Sequence, residues 1–139
     1  MLPSQDHLHV KTDLSELRKV LDWFGSLKQE SVSEQDWLQC QIALAEGFTN
    51  VVRHAHKHLP EEIPIQIDID FLPNAVEMRI WDYGPPFNLI ANLDQLTDAG
   101  DVEAEAGRGL RLLKKIASEL HYHQQENGHN CLIVTKHRT

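Results

Sequence analysis

Three groups of residues in this sequence have types and spacing that can do chemistry. The first is Glu46, Asn50 and His54, with Arg53 and Lys57 flanking them. Residues four apart stack on one face of a helix. A carboxylate in such a row can orient or deprotonate a hydroxyl or a water. An amide oxygen is a hard ligand suited to Mg2+, which takes few protein ligands and completes its shell with phosphate and water oxygens. The same row also fits a plain solvated helix face. The second group is Trp81-Asp82-Tyr83-Gly84-Pro85-Pro86-Phe87, where a carboxylate closes an apolar strand and meets a glycine turn. Asp82 can serve as a turn former. It can equally accept a hydrogen bond from an exocyclic amine such as that of adenine, with Gly84 admitting a flat ring close to the backbone. The third group is Ala106-Gly107-Arg108-Gly109-Leu110, read as the opening of an amphipathic helix. Backbone N–H groups at the positive end of a helix dipole attract anions, and Arg108 adds a cationic fork for phosphate. A tight loop-to-helix turn explains the glycines equally well.

Other constellations are weaker. His54 and His58 form one i, i+4 pair, and His7/His9 and His121/His123 form i, i+2 pairs on strands. Zinc needs further ligands than a pair supplies, and no cysteine joins any of them. Surface histidines, several of them partly buried, are therefore expected. The acids of the run Asp94–Glu105 follow no EF-hand spacing, so a lid is the better reading than a cation site. Cys40 and Cys131 lie in apolar patterns without a CxxC and read as small buried hydrophobes.

These groups need elements to position them. His7–Lys11 alternates as a short strand. Asp13 reads as an N-cap before a helix through Leu14, Leu17, Val20, Leu21, Phe24 and Leu27. Ser33 caps a second helix, with Asp36 three residues on. Its apolar stripe is expected through Leu38, Ile42, Ala45, Phe48, Val52 and Ala55, ending near His58 before Pro60. Ile63, Ile65, Ile67, Ile69 and Phe71 alternate as a strand, and Val76, Met78 and Ile80 continue as its antiparallel partner after the Pro73-Asn74 turn. Residues 83–106 read as a long loop with a short helical piece near 89–96, and a loop this long in a compact domain is usually functional. A third helix is predicted from Gly109 to Leu120, with Leu110, Leu113, Ile116, Ala117 and Leu120 inward. Strands near 121–126 and 130–136 close the chain around Asn127-Gly128-His129. This order suits an α+β, two-layer sandwich with a mixed, mostly antiparallel sheet and its helices on one face.

Composition limits the function classes. The chain has 139 residues, 41% hydrophobic and 24% charged, and a formal net charge of −8. That is one ordinary soluble domain. Acidity disfavours nucleic acid, whose binding needs a basic face, and equally an anionic membrane surface. No apolar run is long enough for a transmembrane helix, and the N-terminus lacks signal-peptide character, so a cytoplasmic protein is expected.

Taken together and in order, the three groups resemble the ATP-binding boxes of the GHKL superfamily, whose domain has the Bergerat fold. Glu46–Asn50 with His54 is similar to the N box. Asp82-Tyr83-Gly84 is similar to the first glycine box, and Gly107-Arg108-Gly109-Leu110 to the second. Within that superfamily the chain resembles the bacterial anti-sigma-factor serine/threonine kinases, the SpoIIAB/RsbW-like group. It does so through its strand-helix-helix start, the Gly84-Pro85-Pro86-Phe87 variant of the box, and a short lid at about 88–106. The resemblance implies one ATP-binding domain over 1–139, too short to include a phosphoacceptor hairpin. It implies that Glu46 is the general base for a protein serine and that Asn50 holds Mg2+ on the ATP phosphates. Asp82 would receive the adenine amino group and Gly84 would line its pocket. Gly107, Arg108, Gly109 and Leu110 would form the phosphate side, with His54 in support. The partners implied are a STAS-domain anti-anti-sigma factor as substrate and a sigma factor, with the chain acting as a homodimer. Asn88 stands where relatives often carry Asp, and Ile133 where other superfamily members place a Thr near adenine. The competing reading is a nucleotide-gated binding module without kinase activity. The presence of both Glu46 and Asn50 favours the kinase.

Overall fold

A computed structural model describes residues 4–85, 104–125 and 127–139. Strand β1 (Ser4–Val10) leads into a 3-10 turn (Leu14–Glu16) and helix α1 (Leu17–Ser26). Helix α2 (Glu34–Asn50) runs on into a π-helical turn (Val51–Ala55). Then come β2 (Ile65–Leu72), β3 (Ala75–Asp82), helix α3 (Ala104–Ile116), β4 (Glu119–Gln124) and β5 (Asn130–His137). The expected loop over 83–106, its helical piece, the lid and Asn88 lie wholly or largely outside the described residues.

The caps work as their sequence implies. Asp13 accepts the Ser15 N–H at 2.9 Å, and Ser33 accepts the Asp36 N–H at 3.1 Å. Each satisfies a backbone donor that a helix start leaves free. The strands form one sheet in the order β1-β2-β3-β5-β4. The fold is the α+β sandwich that the order of elements predicts, but the sheet is not mixed: all four pairings are antiparallel. Short hairpin turns join β2 to β3 and β4 to β5, and such turns can only connect antiparallel neighbours.

One face of the sheet carries Ile65, Ile67, Ile69, Val76, Met78, Ile80, Leu132 and Val134, all buried against the helices. Helix α2 meets this core through Trp37, Cys40, Ala43, Leu44 and Phe48, and the π-helical turn adds Val51. That stripe is rotated from the expected one, and Leu38 is 56% exposed. The largest ring decides the rotation. Trp37 stacks between Phe24 at 4.3 Å and Phe71 at 5.9 Å, burying more apolar area than Leu38 could. Helix α3 buries Leu110 and Leu113 as expected, yet it begins by Ala104 and ends at Ile116. The Ala117 N–H closes the last turn on the Leu113 carbonyl, while Ser118 bonds Thr135 and joins the sheet side.

The other face of the sheet is polar. Asp68 accepts from Trp81 Nε1 at 2.8 Å and Gln66 Nε2 at 2.9 Å, and pairs with His7 Nδ1 at 2.7 Å. Arg79 reaches Asp70 and Glu77, each at 3.1 Å. Strand register places His9, His121, His123 and His137 on this face as well. Among the described residues no three His, Cys, Asp or Glu side chains gather as a metal site requires. Nor is any helix there long and apolar enough to cross a membrane.

Candidate nucleotide site

Helix α2 brings the first group into the interior. Asn50 is buried and Glu46 and His54 are half-buried, so this row is no solvated face. Among the described residues none hydrogen-bonds the Glu46 carboxylate or the Asn50 amide. Buried polar groups normally find partners, so an open carboxylate and amide one turn apart suit a ligand. Opposite them stands α3. A Cβ added to Gly109 would meet Glu46 Oε2 at 2.7 Å, so the glycine is what lets that carboxylate sit against the helix.

The spacing that places Glu46 and Asn50 together stops at Asn50. Residues Val51–Ala55 widen into a π-turn, and the His56 N–H bonds the Val51 carbonyl at 2.7 Å, five residues back. The α-helical i+8 relation of His54 to Glu46 therefore fails. Single π-turns are frequent at functional sites because they re-aim side chains without ending the helix. Here the residue turned inward is His56, which is 1% exposed.

The second group forms a pinned turn at the end of β3. Asp82 is buried, and its Oδ1 accepts the Gly84 N–H at 2.8 Å and Asn130 Nδ2 at 3.0 Å. Asn130 Nδ2 also donates to the Gly84 carbonyl at 3.0 Å. Both hydrogen bonds from described residues fall on Oδ1, so the second carboxylate oxygen can accept from a ligand amine. Gly84 packs on the π-turn: an added Cβ would lie 2.5 Å from the Ala55 carbonyl oxygen. Only glycine permits that approach.

The third group is placed differently from its expected role. Gly107, Arg108 and Gly109 do not precede the helix but lie within it, since α3 has begun by Ala104. Only the first four N–H groups of a helix are free, so at most Gly107 of the three offers one in this state. Leu110 is buried in the core rather than open to a ligand. Ile133 also departs from expectation. It pairs with Arg79 on the polar face, so it points away from Asp82. The β5 residue beside Asp82 is Asn130.

With this geometry in hand, the comparisons are decisive on kinship. Residues 10–136 match the histidine kinase-like ATPase domain. The chain belongs to this family. Among curated proteins, this ATPase-domain chain is 28% identical over 101 residues to the serine-protein kinase RsbW of Staphylococcus epidermidis, and two named strains give the same figures. The match takes in 69% of this chain and 64% of the relative, so the chain spans under two-thirds of the kinase it resembles. A crystal structure of the RsbU and RsbW domains of a Mycobacterium tuberculosis protein superposes with a TM-score of 0.68 at 15% identity. It covers 98% of this chain and 33% of that one, and it bears out the fold.

For the ATPase-domain site, sequence reading missed Asn130, Thr12 and His56. Asn130 had a signal, a polar residue opening a strand straight after a glycine turn. The other two were concealed by the π-turn, which no residue type in 51–55 announces. Both cysteines are free and buried. Burial pushes each thiol up to about 12, so neither is a nucleophile.

Proposed function

We propose that this chain is an ATP-dependent protein serine/threonine kinase acting as an anti-sigma regulatory factor. Its substrate is a serine of a STAS-domain anti-anti-sigma partner. The single observation that carries the reading is the pairing of a half-buried Glu46 carboxylate, which no described residue hydrogen-bonds, with the buried Asn50 amide, facing Gly109 of α3. Kinship to a family whose relatives include a serine-protein kinase supports the same conclusion.

The residues present fit adenine nucleotide and Mg2+. Asp82 holds an oxygen for the adenine amine on a turn fixed by Asn130 and Gly84. Asn50 supplies a hard oxygen donor, and Mg2+ bound there would neutralise charge on the phosphates. Glu46 accepts the proton of the incoming serine and orients its oxygen. Phosphoryl transfer depends on alignment and charge stabilisation more than on covalent chemistry, so a base and a metal ligand one turn apart are apt for it. His54, Gly107 and Arg108 are proposed for the phosphate side on the resemblance, while Gly109 makes room for Glu46 and Leu110 is held in the core. Sigma-factor binding, homodimerisation and a cytoplasmic location belong to the same proposal.

The test is transfer of labelled γ-phosphate from ATP to STAS proteins of the same cell. Transfer to a serine that requires Glu46 supports the kinase. Nucleotide binding without any transfer leaves a partner-binding switch module instead.

A further inference from the structure

The ring of His56 is bonded at both ends. Nε2 lies 2.8 Å from the Tyr83 backbone N, and Nδ1 lies 2.9 Å from Thr12 Oγ1. The Tyr83 N–H can only donate, so Nε2 carries no proton. Thr12 Oγ1 donates its own hydrogen to the Ile63 carbonyl at 2.6 Å, so it accepts from Nδ1–H. The tautomer is thus fixed by its neighbours. Three separate segments meet at this ring: the stretch after β1, the π-turn at the end of α2, and the turn that follows β3.

We infer that His56 is a positioning residue, a neutral Nδ1–H imidazole that clamps the Asp82–Gly84 turn to the helix bearing Glu46 and Asn50, and that protonation opens the clamp. A proton on Nε2 would face the Tyr83 N–H donor to donor, and that bond would be lost. Burial already disfavours the charged ring and holds His56 below its ordinary value of 6.5. Among the described residues the charged group acting on the ring is Asp82, whose carboxylate opposes this but is outweighed. Gly84 touches the Ala55 carbonyl beside the ring, so a shift of the turn moves the adenine-side carboxylate relative to the helix. Acid would therefore weaken nucleotide binding before it unfolds the protein. The inference rests on the nucleotide reading for its consequence, but the clamp itself can be measured without nucleotide.

The full chain is compared as wild type, H56Q and H56N. Gln carries its amide oxygen near the place of Nε2 and keeps the Tyr83 bond. Asn carries its NH2 near the place of Nδ1 and keeps only the Thr12 bond. Imidazole 15N shifts of the wild type at pH 7.5 should show protonated Nδ1 and bare Nε2; the opposite tautomer would overturn the clamp. Protection of the Tyr83 amide against hydrogen exchange should fall below pH 6.5 in wild type, stay level in H56Q and be lost in H56N. ADP affinity should follow the same pattern, with H56N weaker by roughly tenfold at pH 7.5, the worth of one buried hydrogen bond. Equal loss in both variants, or a level Tyr83 profile in wild type, would reduce His56 to packing. A wild type that binds no ADP would instead refute the nucleotide reading, leaving the exchange data to judge the clamp.

Discussion

Glu46 and Asp82 each make a distinct demand on experiment. Glu46→Ala should cut serine phosphorylation about 10²–10⁴-fold, the usual worth of a general base. ATP affinity should stay within a small factor, because the proposed base role sets Glu46 on the acceptor and not on the nucleotide. Single-turnover transfer alongside calorimetric binding separates the two. Asp82→Asn preserves Oδ1 for Gly84 and Asn130 but sets an NH2 where the adenine amine should donate. Adenine-nucleotide affinity should fall roughly ten- to hundredfold, as when a charge-assisted hydrogen bond is lost, with guanine nucleotides bound no better. Residue type made both positions candidates, a carboxylate in a helical row and a carboxylate at a strand end, and the resemblance supplied the roles proposed for them. His56 was no such candidate. Its role comes from three segments remote in sequence, and as one of nine histidines it carries no distinguishing pattern.

Helices and turns set the distances between those side chains. Gly84→Ala forces a methyl onto the Ala55 carbonyl oxygen. Backbone cannot yield as a side chain can, so stability should drop by about 1–3 kcal/mol or more in a urea melt, with nucleotide affinity falling too. Gly109→Ala is a milder change, because the atom it meets is the end of the flexible Glu46 side chain. The protein should fold normally and bind ATP, while transfer slows as the carboxylate is displaced. The elements themselves were mostly visible beforehand. Alternation marked β2 and β3, and Asp13 and Ser33 marked two helix starts. The rotation of α2 was hidden because Trp37 and Leu38 are both apolar, and only the ring stack with Phe24 and Phe71 chooses between them. The start of α3 was hidden because the glycines looked like a boundary. Ala104, Glu105 and Ala106, good helix formers, extend the helix upstream of them.

At the scale of the whole molecule, two groups tie stability to pH in separate windows. His56 is neutral in the fold and its pKa lies below 6.5, so its contribution is complete above 6.5 and is lost as pH falls through the folded value. Asp68 behaves as a carboxylate. Burial alone would raise it, but hydrogen bonds from His7, Gln66 and Trp81 outweigh burial and hold it below 3.8. Its share is present above 3.8 and disappears in stronger acid. Denaturant melts across pH should therefore show an early loss that H56Q removes and a late loss that Asp68→Asn reduces. The sandwich, with its helices on one sheet face and polar residues alternating onto the other, followed from element order and alternation. The network on that face did not, because His7, Gln66, Asp68 and Trp81 meet only once the strands are in register. One part of that face has an optical consequence. Trp81 packs on His129 at 4.7 Å, and His129 stacks on Tyr83 at 4.5 Å. The indole is thus linked through one imidazole to the turn that ends in Gly84. With Trp23 and Trp37 replaced by Phe, the emission of Trp81 becomes an intrinsic fluorescent reporter of that turn, able to follow ligand arrival in real time without an added dye.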